Sequence, residues 1–147
     1  MARAPIQILV LPYRKTSLKE FEFLVLYRSD LKFWQGIAGG AEDDEQPLEA
    51  AKREAFEETG ISRNANYLKL DSFSTVPANV FKAWKTWPQG TFVVPEYYFA
   101  VDATHENIRL SNEHAEFRWC NFELASSLLR FDSNRNALWE LKERLKE

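Results

Sequence analysis

The chain holds one cysteine, two histidines and one methionine among its 147 residues. A lone cysteine, Cys120, excludes an intrachain disulfide and suits a reducing compartment. One cysteine and two histidines also fall short of a standard structural zinc site. Long apolar runs are absent too. The first apolar stretch, Ile6 to Leu11, is too short to span a membrane, and no small-residue cleavage site follows it. Positive charge is not in excess: 19 Lys and Arg face 22 Asp and Glu, a formal net charge of −3. Nucleic-acid binding usually leaves a basic footprint, so no nucleic-acid polymer is expected as partner. There is no internal repeat, low-complexity segment or linker. The expectation is one soluble, cytoplasmic domain over residues 1–147, without membrane association, a monomer or homodimer.

What the chain does have is aromatic weight, 14% of residues, with five Trp and eleven Phe. Much of it must be core, and some can form a stacking surface for a planar ligand. Ile6 to Tyr13 reads as a buried strand, and Phe21 to Tyr27 as its hairpin partner across a charged loop. Ser29 to Ala38 reads as irregular, with Gly39-Gly40 breaking the chain. Pro47 to Thr59 reads as a helix, with Pro47 in its first turn and Gly60 as its stop. Leu48, Ala51 and Ala55 would form its buried edge. Asn66 to Val76, Phe92 to Val101 and Phe117 to Cys120 are strand candidates. Ser133 or Asn134 can cap a closing helix that carries Ala137, Leu138, Leu141 and Leu145 on one face. Strands interleaved with helices imply an α/β architecture.

The chemistry concentrates in Gly39 to Ile61. Glu54, Glu57 and Glu58 are three and four residues apart, so a helix projects all three carboxylates from one face. Like charges so placed repel. A hard divalent cation such as Mg²⁺ or Mn²⁺ resolves the conflict, taking oxygen ligands and bridging carboxylates to substrate phosphates. The same spacing also permits a solvated helix face with an Arg53–Glu57 pair.

The full segment resembles the signature of the Nudix hydrolases (MutT-like enzymes). Gly39 is followed by five residues and Glu45, then seven residues to Arg53-Glu54. Ala55, Phe56, Glu57-Glu58, Thr59, Gly60 and Ile61 complete it. The resemblance implies a Nudix-type α/β/α sandwich with a mixed β-sheet. It makes Glu57 and Glu58 metal ligands, and Glu54 a ligand or the base that activates water. Arg53 would anchor the glutamates, Glu45 would brace loop and helix, and the Ala38 carbonyl would face the metal. Such enzymes often recruit a further glutamate, for which Glu113 is the candidate and Glu96 the alternative. Phe33-Trp34-Gln35, Glu113-His114 with Trp119, and the Asn-rich start of the last helix resemble the dihydroneopterin triphosphate diphosphatases, which also hydrolyse deoxynucleoside triphosphates. Thr91 to Pro95 departs from the more polar sequence of those enzymes.

The implied reaction is Mg²⁺-dependent cleavage of a (d)NTP or pterin triphosphate to monophosphate and pyrophosphate. The alternatives are another nucleoside diphosphate derivative, such as a nucleotide sugar or dinucleoside polyphosphate, or a non-catalytic nucleotide-binding module. Substrate contacts fall to Trp34 by stacking, Gln35, Arg28 near a phosphate, and Gly39, where no side chain blocks approach. Packing is the competing role for Trp34, and a solvated charge for Arg28. Phe81, Trp84 and Trp87 would form an aromatic wall or lie in the core. Cys120 reads as a buried core thiol.

Overall fold

The computed structural model describes residues 2–146. Its strands are β1 (Arg3–Lys15), β2 (Phe21–Arg28), β3 (Phe33–Gln35), β4 (Ile37–Glu42), β5 (Tyr67–Pro77), β6 (Val93–Asp102) and β7 (Glu116–Cys120). The α-helices are α1 (Pro47–Thr59), α2 (Phe122–Leu128) and α3 (Asp132–Arg144). One mixed sheet runs β3-β2-β1-β6-β5, with β4 also paired to β1 and β7 to β2. The β1–β6 pairing is parallel and the others are antiparallel.

β1 is central, and that explains its composition. A strand covered on both faces reads as a continuous apolar run, and Ile8, Leu9, Val10 and Leu11 are all buried. Alternate side chains serve opposite layers. Ile8 and Val10 pack with Ala50, Ala51 and Ala55 of α1, whereas Leu9 and Leu11 pack with Ala125 of α2 and Ala137, Leu138 and Leu141 of α3. This is the expected α/β/α sandwich.

Helix α1 keeps the expected bounds. Its start is closed by the Glu49 side chain, which accepts from the Gln46 backbone N–H at 2.9 Å. Its end is closed by Gly60 at φ +79°, whose N–H donates to the Phe56 carbonyl at 2.9 Å. That left-handed conformation is one L side chains rarely adopt. The buried edge differs from expectation at one position: Leu48 is exposed, and Ala50 joins Ala51 and Ala55 instead.

Other differences have local causes. Ser29 to Ala38 is not wholly irregular, because Phe33–Gln35 pairs with β2 as a short edge strand. Gly39 and Gly40 do not break the chain. They sit inside β4, opposite Ile8 and Gln7. Helix α2 was not expected; it is seven residues long, too short for a clear period, and its signal is Asn121, whose side chain accepts from the Leu124 N–H at 2.9 Å. Helix α3 begins one residue before Ser133, with Phe131 at the cap, so neither Ser133 nor Asn134 caps it. The segment before β6 forms two short 3₁₀ turns, Ala78–Val80 and Lys82–Thr86. No helix among the described residues is long and apolar enough to cross a membrane.

Candidate active site

The site lies where α1 crosses the β1–β4 pair. Gly39 faces Glu54: a Cβ there would fall 1.5 Å from Glu54 Oε2. The missing side chain is what lets the helix carboxylate reach the strand. Gly40 makes similar room for Arg3, whose Nε would lie 1.7 Å from an added Cβ.

Arg53 organises the helix glutamates. Its Nε and Nη2 donate to Glu45 at 2.8 and 3.0 Å, and Nη2 also donates to the Gly40 carbonyl at 2.9 Å. Nη1 reaches Glu57 at 3.1 Å and Glu54 at 3.4 Å. A side chain 14% exposed therefore ties the loop, β4 and α1 together. The pair expected of a plain solvated face, Arg53–Glu57, is present as one arm of that network. Glu57 sits on the rim, 51% exposed.

Glu58 lies deeper, 4% exposed. The segment after β6 is pinned against it by Ser111 N–H to the Glu58 carbonyl at 3.1 Å and Arg109 N–H to the Thr59 carbonyl at 2.8 Å. Those bonds deliver Glu113 and His114, so that ligand-type atoms of Glu58, Glu113 and His114 lie within 4.8 Å of one another. His114 Nδ1 is 3.2 Å from Glu58 Oε1, but off the direction of a hydrogen bond. Both Glu58 oxygens and that nitrogen consequently lack a partner among the described residues. Burial, aided by Glu54 and Glu113, pushes the Glu58 carboxyl up to about 9. Burial also pushes Glu54 up to about 7, with Glu57 and Glu113 adding to the shift and Arg53 opposing it. Burial, with Arg28 nearby, holds His114 below its usual value.

These residues fit a hard divalent cation. Buried polar groups are ordinarily paired, yet two carboxylate oxygens here are orphaned in a nest of further carboxylates. An oxygen-rich set of that kind suits Mg²⁺ or Mn²⁺.

A cleft of about 640 Å³ opens beside this cluster, lined in part by Phe33, Gln35, Ala38, Phe81, Glu96 and Phe131. Gln35 belongs to both regions, since its Nε2 lies 3.3 Å from His114 Nε2. Trp34 is not among the lining residues. It alternates with Phe33 and Gln35 along β3, meets the Tyr27 ring at a tilt with 5.1 Å between centroids, and packs on the α2–α3 side of the core. Stacking by Trp34 is thus replaced by packing. Phe33 meets Phe131 edge-on at 5.2 Å. Of the expected aromatic wall, Phe81 lines the cleft, Trp84 is exposed, and Trp87 is buried with its Nε1 donating to the Arg3 carbonyl at 2.7 Å. Arg28 stands near Glu58 and Glu113 but is held by Asp30 through two hydrogen bonds of 2.9 and 2.8 Å. Cys120 is buried. Glu96 lies in the cleft and away from solvent, 8% exposed. Sequence reading missed the depth of His114, the position of Arg3 and the place of Glu96. Only pairing across the sheet brings the last two to the site.

Comparison with known proteins agrees with this geometry. The NUDIX domain profile matches residues 7–141. A crystal structure of a Listeria monocytogenes protein of the NUDIX hydrolase class superposes with a TM-score of 0.87 at 43% identity, covering 97% of this chain and 95% of that one. The dihydroneopterin triphosphate diphosphatase of Escherichia coli K12 is 30% identical over 138 residues, 92% of this chain and 91% of its own. The asymmetrical bis(5'-nucleosyl)-tetraphosphatase of mouse is 30% identical over 133 residues, 81% of this chain and 77% of its own. The chain belongs to the Nudix family. It is a Nudix hydrolase, an enzyme of phosphoric anhydride bonds.

Proposed function

We propose that the chain is a divalent-cation-dependent pyrophosphohydrolase that cleaves a (d)NTP or pterin triphosphate to the monophosphate and pyrophosphate. The observation that carries this reading is the double position of Gln35. It lines the aromatic cleft and also touches His114 beside the Glu58–Glu113 cluster. A base held in the cleft therefore has its phosphates directed at the carboxylates.

Glu54, Glu57, Glu58 and Glu113 would hold the cation, with the Ala38 carbonyl and His114 beside them. When bound, such an ion polarises a phosphoryl oxygen and makes water a better nucleophile. Glu54, reaching over Gly39, takes the proton from the attacking water. Arg53 keeps Glu54 and Glu57 in place through the geometry above, so that little reorganisation accompanies reaction. Phe33, Phe81 and Phe131 hold a planar ring and exclude water around it. Arg28 meets a phosphate once it exchanges Asp30 for that anion.

The test is a screen of (d)NTPs, dihydroneopterin triphosphate, dinucleoside polyphosphates and nucleotide sugars, with pyrophosphate and orthophosphate assayed separately. Highest kcat/KM on a triphosphate with pyrophosphate released is the expected result. Preference for a dinucleoside tetraphosphate, the substrate named for the mouse relative, would overturn the triphosphate reading and leave the family intact.

A further inference from the structure

The cleft contains a carboxylate that hydrolysis does not use. Glu96 is 8% exposed, and its only hydrogen-bond partners among the described residues are two hydroxyls. Both fall on the same oxygen: Tyr98 Oη donates to Oε1 at 2.5 Å, and Ser74 Oγ lies 3.1 Å from it. A buried charge without a cation is costly, so its persistence at the floor of a ligand cleft calls for a ligand. Oε2 is not sealed into the protein, and it faces the same cleft that Glu96 lines.

Its neighbour is fixed just as firmly. Gln7 of β1 pairs directly with Glu96 of β6, and Ser74 of β5 pairs with Glu96 from the other side. Directly paired residues project from one face of a sheet, about 4.8 Å apart. Gln7, Glu96 and Ser74 all line the cleft. The orientation of the Gln7 amide is set by Arg3, whose Nη2 donates to Gln7 Oε1. Gln7 Nε2 is left as a donor to whatever enters. The floor thus offers a donor beside a group that can only accept.

From this juxtaposition we infer that Gln7 and Glu96 read the edge of the ring, and that they select a 2-amino-4-oxopyrimidine edge, the one shared by guanine and pterins. The inference rests on the triphosphate reading above and narrows its substrate class. Such an edge presents a carbonyl, a ring N–H and an amino group in sequence. The carbonyl accepts from Gln7 Nε2. The two adjacent N–H groups meet a carboxylate, which has about four lone-pair sites, two already taken by hydroxyls. Adenine and cytosine each place a ring-nitrogen acceptor beside their amino group. Thymine places carbonyls on both sides of its single N–H. An acceptor facing Glu96 is left unpaired and repelled, the arrangement that costs most in a buried site.

The test is titration calorimetry of dGMP, dIMP, dAMP and neopterin against the full chain in buffer with chelator, so that binding is read without turnover. Wild type should bind dGMP roughly tenfold or more tightly than dAMP, the scale of one unpaired buried group. dIMP, which lacks only the amino group, should fall between them. Glu96→Gln should bring the dGMP-to-dAMP ratio towards one. Gln7→Leu should weaken dGMP and dIMP alike, because both keep the carbonyl. Neopterin against dGMP separates the two sources of the edge, and tighter binding of either supports the inference. Should Glu96→Gln fail to fold, the wild-type series decides alone: dAMP or dIMP binding as tightly as dGMP, or none of the four binding, overturns it. A guanine or pterin preference without hydrolysis of any triphosphate would instead sink the proposed reaction and leave this inference standing.

Discussion

Single atoms decide what this site can do. Gly39 is the sharpest case, because an added Cβ would strike the far end of a flexible side chain, Glu54, and not backbone. Gly39→Ala should therefore fold normally, with a melting temperature within a few degrees of wild type, yet lose about a hundredfold or more in kcat/KM, since small misplacements at a reacting centre are that costly. A variant with near wild-type turnover would show that Glu54 does not work from its position over β4. Glu58 makes the opposite bargain. Its carboxyl is buried, orphaned and raised to about 9. A carboxyl raised in the folded state costs stability at pH values above its unfolded value near 4.3. Glu58→Gln removes that cost while keeping the shape. Activity should drop by orders of magnitude, and chemical denaturation at pH 7 in chelator should show a variant no less stable than wild type; a large loss of stability would contradict the orphaned carboxylate. Trp34→Ala, by contrast, should cost roughly 3 kcal/mol of stability for a truncated packed aromatic, with KM nearly unchanged. A raised KM at unchanged stability would return Trp34 to the substrate.

At the scale of elements, α3 is fastened to β5 by one acidic side chain that carries no catalytic role. Glu140 accepts from Asp71 and Ser72 N–H at 2.7 and 2.8 Å, from the Ser72 hydroxyl, and from Arg144 Nε at 2.8 Å. Burial works against its charge, but those bonds together hold its carboxyl at about 2. A folded value below the unfolded one, near 4.3, adds stability that is fully present above about pH 5 and is lost as pH falls towards 2. At about 1.4 kcal/mol per unit, Glu140 contributes up to about 3 kcal/mol. Glu140→Gln should lower the unfolding free energy by roughly 2 kcal/mol at pH 7, and the gap should close near pH 2. A gap independent of pH would mean that packing, not charge, joins α3 to β5. Such links explain which elements could be read in advance. α1 was legible because Pro47, Gly60 and the alanine spacing all act locally. The β1–β2 hairpin was legible from its apolar runs. β4 was not, because its two glycines mimic a break, and their reason lies in Glu54 and Arg3, one remote in sequence on each side. The helix carboxylates were visible as a spacing. The crowding of Glu58 by Glu113 and His114 was only partly visible, since it depends on two backbone bonds from a loop some fifty residues downstream. Gln7 and Glu96 become neighbours only when β1 and β6 pair in parallel, a long-range event that leaves no local mark.

For the whole molecule, cation and fold are coupled by mass action. The carboxylates of α1 and of the loop after β6, with the Ala38 carbonyl of β4, come together only in the folded state, so an ion that needs them together binds the native chain and not the unfolded one. Such binding stabilises by RT ln(1 + [L]/Kd), about 2.7 kcal/mol at a hundred times Kd. For a chain of this size each kcal/mol moves the melting temperature by about 2–4 °C. Saturating Mg²⁺ should raise the midpoint by roughly 5–10 °C, and chelator should reverse it. The same titration on Glu58→Gln separates specific from general effects. Glu58 is buried and offers its carboxylate beside Glu113 and His114, so its amide should abolish most of the shift while the surface charges that attract cations non-specifically remain. An undiminished shift in that variant would place the ion elsewhere and detach the metal from the catalytic cluster. A wild type indifferent to Mg²⁺ and Mn²⁺, and equally active in excess chelator, would remove the cation from the reaction altogether.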